Sequence, residues 1–167
     1  MPATNSSPCT GTWNVSTQLS AYSVLAETES DVQATVAFAA QHNLRLVVKN
    51  TGHDWFGRSA AAGSLLLWMH KLKELTFHDS YQGNGIPAVT VGAGVQFSDL
   101  YPAANNRRYP LPPYQDRQSI VMGGTCDSVG VAGCWLGGCY GTLTRRLFQL
   151  DSVRPIAYML LLFFFLP

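Results

Sequence analysis

The feature that most constrains this chain is a run of glycines between residues 123 and 141. Seven of the fifteen glycines in the chain lie within these nineteen residues. Glycine loses more conformational entropy on folding than any other residue, so a segment this rich in glycine is costly to order. We therefore expect a large flat group to press against the backbone of this segment.

A second glycine-containing loop follows a predicted strand. The segment Leu44–Lys49 is apolar and β-branched, which predicts a strand, and it leads directly into residues 50–59. Gly52 and Gly57 allow backbone N–H groups to converge, an arrangement that binds phosphate, and Thr51 and Ser59 add hydroxyl donors. A tight strand-to-strand turn is the alternative, and spacing alone favours it.

The composition excludes several classes of protein. Apolar residues make up 47% and charged residues 13% of the chain, which is typical of a folded domain and not of a disordered one. A net charge of +1 without a basic cluster argues against nucleic-acid binding. The apolar stretch Ile156–Leu166 is shorter than the roughly 20 residues that a membrane helix needs. No signal-peptide pattern opens the chain, although Asn5 and Asn14 begin glycosylation sequons.

The common phosphate, dinucleotide and hydrolase motifs are absent, which excludes a P-loop, a Rossmann fingerprint and a nucleophile elbow. The four cysteines form no C-x-x-C pair, so we expect no metal site. A disulfide between Cys9 and Cys134 or Cys139 is compatible with the sequence, and spacing does not decide it.

Two residues in the glycine loops are candidates for covalent chemistry. His53 is either a solvent-facing loop histidine or a nucleophilic imidazole whose tautomer is fixed by the neighbouring Asp54. Cys126 is either a small buried apolar residue or a thiol left uncovered by the preceding glycines Gly123 and Gly124.

Mixed helices and strands without regular alternation predict an α+β fold. We expect a helix that begins at Ser30, with Gln33 completing a capping box, and ends at Asn43. A helix after Gly94 should be cut short by Pro102. Further strands are predicted at Tyr22–Ala26, Leu65–Trp68 and Val89–Val91.

Taken together, the two loops resemble FAD-linked oxidoreductases of the vanillyl-alcohol-oxidase and p-cresol-methylhydroxylase (PCMH) type, and the berberine-bridge-enzyme-like branch in particular. The resemblance extends over about residues 22–145. The segments that carry it are residues 31–43, residues 44–54 with Asn50-Thr51-Gly52-His53-Asp54 at their end, Gly57-Arg58-Ser59, Gly92-Ala93-Gly94-Val95-Gln96, and the segment from Gly123-Gly124-Thr125-Cys126 to Gly141.

This resemblance implies a PCMH-type FAD-binding domain, made of two small α+β subdomains with the flavin between them and incomplete in this chain. Residues 50–59 would hold the FAD pyrophosphate. His53 would bond covalently to the flavin 8-methyl carbon and Cys126 to ring carbon 6. The residues implied to bind FAD are Asn50, Thr51, Gly52, His53, Asp54, Gly57, Arg58, Ser59, Gly124, Cys126, Gly130, Val131 and Gly133.

The implied reaction is hydride transfer from a C–H bond or alcohol of a small-molecule substrate to FAD, followed by reoxidation by dioxygen. The resemblance also implies secretion. The expectation of no membrane partner and no nucleic-acid partner comes from the short apolar stretch and the lack of a basic cluster. The resemblance departs at Cys139, where glycine is usual, and fades after Arg146.

We therefore divide the chain into an irregular arm (1–20), the N-terminal part of an FAD-binding domain (21–150) and an aberrant apolar tail (151–167). A short buried strand or helix is the alternative for the tail. We expect little turnover from this chain alone, and the alternative function is a noncatalytic fragment with weak or no FAD binding.

Overall fold

The computed structural model describes residues 19–83, 85, 87–108, 110, 112, 116, 121, 123–137 and 139, and the backbone of 150–153 and 158–162. These residues form two sheets and three α-helices. Nearly all of the expected N-terminal arm lies outside the described residues. Among the described residues, no helix has the length and apolar character needed to cross a bilayer.

The first sheet is parallel and three-stranded. Strand β3 (Leu65–Trp68) lies between β1 (Tyr22–Leu25) and β2 (Leu46–Lys49), in the order β1-β3-β2. Helix α1 (Glu29–Gln41) connects β1 to β2. The strands predicted at these three places are confirmed. A small core joins the helix to the sheet and the loop after it, and it contains Ala26, Val32, Leu67, Met69 and Leu72.

The start of α1 differs from the prediction. The capping residue is Thr28, whose Oγ1 accepts a hydrogen bond from the Asp31 backbone N–H at 3.2 Å, while Asp31 Oδ2 accepts one from the Thr28 N–H at 2.8 Å. The predicted box of Ser30 and Gln33 is wrong because an equivalent pattern occurs two residues earlier. Asn43 follows the helix in the left-handed conformation expected of it, with φ at 51°.

The second sheet is antiparallel and four-stranded. Its order is β4 (Leu75–His78), β5 (Ala88–Gly92), β7 (Tyr158–Leu162) and β6 (Leu150–Val153). The prediction for Val89–Val91 is confirmed within β5, whereas β4 was not predicted. The segment expected to be an aberrant tail includes β7, which pairs with β5 in this sheet.

Helix α2 (Phe97–Asn105) continues through Pro102, so the expectation that proline would shorten it is wrong. Leu100 and Ala104 are buried on the two sides of the proline, and Pro102 itself is exposed. Packing of both halves therefore compensates for the one backbone hydrogen bond that proline cannot donate.

Helix α3 (Val131–Leu136) packs into the larger core, beside β5 and α2. The segment before this helix is joined to the start of α2 by backbone hydrogen bonds. Ser98 N–H donates to the Asp127 carbonyl at 2.8 Å, and Val131 N–H donates to the Val95 carbonyl at 2.9 Å. These bonds fix the position of residues 127–131, which lie opposite the loop after β2.

Candidate functional site

Ser128 connects the two candidate residues, His53 and Cys126. Its Oγ lies 2.9 Å from His53 Nε2 and 3.3 Å from Cys126 Sγ. The structure thus brings together two residues that are far apart in the sequence. Ser128 was not singled out in the sequence, although its position two residues after Cys126 was the available signal.

Cys126 is an exposed free thiol, so the interpretation of this residue as a small buried apolar side chain is wrong. His53 is exposed as well. Both side chains are therefore accessible to a ligand that approaches between the two loops.

Asp54 binds Arg58, which corrects the expectation that it fixes the His53 tautomer. Its carboxylate accepts hydrogen bonds from the Arg58 backbone N–H at 2.7 Å and from Arg58 Nε at 3.1 Å. The side-chain hydrogen bond from Arg58, aided by the Arg58 backbone N–H, lowers the pKa of Asp54. The carboxylate closes residues 54–58 into a turn and leaves the imidazole to Ser128.

Residues 51–53 present a row of backbone donors. Within the described part of the chain, the N–H groups of Thr51, Gly52 and His53 donate to no protein acceptor. Gly52 takes a φ of 85° and Gly57 a φ of 71°, the left-handed region that glycine tolerates. Consecutive free N–H groups at such a turn form an anion-binding concavity, which fits a pyrophosphate.

The Asn50 side chain lies between this loop and the start of α3. Its Nδ2 and Oδ1 are both buried without a hydrogen-bond partner in the described structure, whereas its carbonyl accepts a bond from Trp68 Nε1 at 2.7 Å. A Cβ at Gly130 would overlap the Asn50 amide. A buried amide without partners is costly, so it suits a site in which a bound cofactor supplies the partners.

The first two glycines of the run, Gly123 and Gly124, pack against the side chain of Phe97. A Cβ at Gly123 would overlap the Phe97 ring, while one at Gly124 would lie 3.6 Å from the same ring. Tyr101 Oη donates to the Gly124 carbonyl at 2.7 Å, and burial raises the pKa of Tyr101. The flat group that we expected against the backbone is, at Gly123, the side chain of Phe97.

The remaining predicted site residues differ in exposure. Val131 is fully buried in the core, and its N–H donates to the Val95 carbonyl at 2.9 Å. Gly133 lies on α3 beside open space, because a Cβ added there would meet no heavy atom of the described structure within 4 Å. Ser59 is half-buried. Among the described residues, no cluster of three or more potential ligands for a metal ion occurs.

Cys134 and Cys139 form a disulfide at the end of α3, with their Cα atoms 5.0 Å apart. The sequence left open a pairing of either residue with Cys9, and the structure instead pairs the two with each other. The Cys139 N–H donates to the Cys134 carbonyl at 2.9 Å, so a tight turn after the helix brings the two side chains together.

The sequence of this chain is similar to those of FAD-linked proteins. The model of the FAD-binding domain family matches residues 20–155. FAD-linked oxidoreductase patO from Aspergillus clavatus is 43% identical over 130 residues, which are 75% of this chain and 20% of that protein.

Two solved structures extend the similarity to the fold. A VAO-type flavoprotein from Myceliophthora thermophila is 39% identical with a TM-score of 0.59, over 70% of this chain and 20% of its own. The berberine-bridge-enzyme-like protein BBE-like 1 from Physcomitrella patens is 26% identical with a TM-score of 0.59, over 74% of this chain and 24% of its own. The chain spans about a fifth of the length of the curated relatives that it matches.

Proposed function

Because this chain belongs to the FAD-binding domain family, we propose that it holds FAD covalently, through His53 and Cys126, as the flavin-binding part of an oxidase. The cofactor of the family is FAD, and its similar proteins are FAD-linked oxidoreductases. The observation that carries the proposal is the contact of both His53 and Cys126 with one hydroxyl, that of Ser128.

The residues of the two loops have separate roles in this proposal. The free N–H groups of residues 51–53 bind the pyrophosphate, and the Asp54–Arg58 pair holds the turn that presents them. The buried Asn50 amide supplies one donor group and one acceptor to the cofactor. His53 and Cys126 are the nucleophiles, since both are exposed and neither is part of a core or a disulfide. Each new bond, from His53 to the 8-methyl carbon and from Cys126 to ring carbon 6, would replace an N–H or S–H bond of the protein and a C–H bond of the flavin. The two electrons of each step would reduce the flavin, and dioxygen would reoxidise it.

When bound, FAD accepts a hydride from the substrate and passes the electrons on, in this proposal to dioxygen. The substrate is a small molecule with an oxidisable C–H or alcohol group. In this proposal the role of the described residues is to bind and orient the flavin.

The test is flavin that stays with the protein after denaturation. We would express the chain with FAD supplied, precipitate it in acid, wash the pellet and measure flavin absorbance. We expect retained flavin in the wild type, retained flavin in His53→Ala and in Cys126→Ala, where one bond remains, and none in the double variant. His42→Ala combined with Cys9→Ala is the matched control and should retain flavin. Flavin retained by the His53/Cys126 double variant would refute the attachment sites.

A second candidate function is a folded domain that binds FAD weakly or not at all. The close approach of Gly123 to Phe97 favours it, because that contact explains a glycine of the run without a flavin. Titration of the chain with FAD, followed by flavin fluorescence, separates the two. No binding by a chain that unfolds cooperatively would support the second function.

We also propose that the protein matures in an oxidising compartment. The Cys134–Cys139 disulfide supports this location, since structural disulfides persist in secretory compartments and are rare in the cytosol. The sequons at Asn5 and Asn14 agree with it. A glycosidase-sensitive mass on the protein isolated from its native source would test the proposal, and a cytosolic, unglycosylated protein would contradict it.

A further inference from the structure

We propose that Ser128 is a positioning residue, which orients both His53 and Cys126 through its single hydroxyl before the flavin binds. The contacts are 2.9 Å from Ser128 Oγ to His53 Nε2 and 3.3 Å to Cys126 Sγ. The inference rests on the proposed function, because the reaction that Ser128 would assist is the covalent attachment of FAD. The contact itself is tested separately below, in the flavin-free chain.

The His53 imidazole depends on Ser128 for its orientation. Its neighbour Asp54 is held by Arg58, and in the described part of the chain Ser128 is the one side chain that hydrogen-bonds to the ring. An exposed side chain with no partner samples several rotamers. The bond to Ser128 therefore selects one ring orientation and leaves Nδ1 facing away from the hydroxyl.

Ser128 itself is held in place by the start of α2. Its carbonyl accepts a hydrogen bond from Gln96 Nε2 at 2.8 Å, and the amide of Gln96 is fixed in turn by Lys73 Nζ, 3.1 Å from its Oε1. The preceding carbonyl, that of Asp127, accepts a bond from the Ser98 N–H at 2.8 Å. The hydroxyl therefore projects from a backbone that is tied on both sides, which is what precise positioning requires.

The Ser128 hydroxyl has a single proton to donate, so its hydrogen bond with His53 determines its hydrogen bond with Cys126. A serine hydroxyl donates one hydrogen bond and accepts up to two. If it donates to His53 Nε2, it can accept from the Cys126 thiol; if it accepts from a protonated Nε2, it can donate to the sulfur. The tautomer of His53 and the orientation of the thiol are thus set together by one group.

The experiment compares Ser128→Thr with Ser128→Val, two side chains of the same shape that differ in the hydroxyl. Both are made in the full chain with Cys9→Ser. Cys134 and Cys139 form the disulfide, so Cys126 then supplies the free thiol. Ser30→Ala, an exposed serine on α1, is the matched control. Because the Ser128 side chain is exposed, no core packing is lost, and thermal unfolding of each variant verifies this. Ser128→Ala is the substitute if the valine variant does not fold.

The first measurement is the ¹⁵N chemical shift of the two His53 ring nitrogens in the flavin-free chain. We expect Ser128→Val to move the signals of both ring nitrogens, in opposite directions, because the bond to Nε2 that favours one tautomer is lost. Ser128→Thr and Ser30→Ala should keep the wild-type shifts. Identical His53 shifts in the threonine and valine variants would overturn the inference.

The second measurement is the rate at which added FAD becomes covalently bound. We expect Ser128→Val to slow attachment by up to about 100-fold, the rate lost when a reacting group is misplaced by about 1 Å, and Ser128→Thr to restore it. Equal rates in the two variants would overturn the role in attachment. If the wild-type chain takes up no covalent flavin, the proposed function fails, and the ring shifts still decide whether Ser128 positions His53.

Discussion

The buried amide of Asn50 packs directly against Gly130, and this contact joins the loop after β2 to the start of α3. A Cβ at Gly130 would overlap the amide, although the backbone there, with φ at −70°, is one that any residue adopts. The requirement for glycine at position 130 is thus steric and comes from a single side chain.

We therefore predict that Gly130→Ala destabilises the chain by about 1–3 kcal/mol, the usual cost of overpacking. The cost should fall in an Asn50→Ala background, because the two Cβ atoms would lie 3.5 Å apart, an ordinary contact. Urea unfolding of the wild type, both single variants and the double variant forms the double-mutant cycle that measures this. Additive effects of the two substitutions would show that Asn50 is not the obstacle.

Gly123 and Gly124 are adjacent, but we predict that substitution by alanine lowers the folding stability much more at Gly123 than at Gly124. Gly123→Ala should cost about 1–3 kcal/mol of folding free energy, because its Cβ would overlap the buried Phe97 ring. Gly124→Ala should cost no more than about 0.5 kcal/mol, since the nearest atom would be 3.6 Å away.

Thermal or urea unfolding of the two variants checks the prediction, and flavin retention gives an independent measurement. If Gly124 lies at the cofactor as the family resemblance implies, Gly124→Ala should lower flavin uptake while the fold stays stable. Equal loss of stability in the two variants would contradict the assigned packing around Phe97.

The sequence predicted the local elements better than the contacts between them. The strand at Leu65–Trp68 and the left-handed Asn43 were found, because β-branched or apolar runs and the conformational preference of asparagine are local properties. The continuation of α2 through Pro102 was missed, since burial of Leu100 and Ala104 is set by the rest of the fold.

The site shows the same division. His53 and Cys126 were identified from two glycine loops and a family resemblance, and the structure places both around one hydroxyl. Ser128 and the binding of Asp54 to Arg58 were missed. A side chain can contact any of several nearby polar groups. The choice depends on its rotamer and on which distant segments pair, and neither can be derived from one sequence.

The Cys134–Cys139 disulfide gives a prediction for stability. The loop that it closes is short, so the chain-entropy model assigns it about 2 kcal/mol. The double variant Cys134→Ser, Cys139→Ser should lose about this amount in urea unfolding, and the wild type should lose the same amount in reducing agent. The reductant should have no further effect on the double variant, which is the control. Peptide mapping without reduction should recover the two cysteines in one linked fragment; a Cys9 linkage would contradict the structure.

Asp99 makes the stability of the α2 start depend on pH. Burial acts to raise its pKa, but the hydrogen bond and charge of Lys73, together with the Gln96 N–H, outweigh burial and lower it. A carboxylate with a lowered pKa in the folded state stabilises that state above its unfolded pKa of about 4, and this contribution is lost as the pH falls through the folded pKa. The wild type should therefore be more stable than Asp99→Asn at pH 7, by about 0.5–1 kcal/mol because the pair is partly exposed.

This advantage should shrink as the pH falls below the unfolded pKa of about 4, and it should be lost once the pH passes below the lowered pKa of the folded state. Urea unfolding of both proteins across this range measures the difference, and 1 M salt at pH 7 should reduce it through screening. Asp116→Asn serves as the control, since its backbone carbonyl, and not its carboxylate, accepts the hydrogen bond from Arg108. A difference between wild type and Asp99→Asn that stays constant from pH 7 to pH 3 would show that the carboxylate charge contributes nothing and that only the shape of the side chain matters.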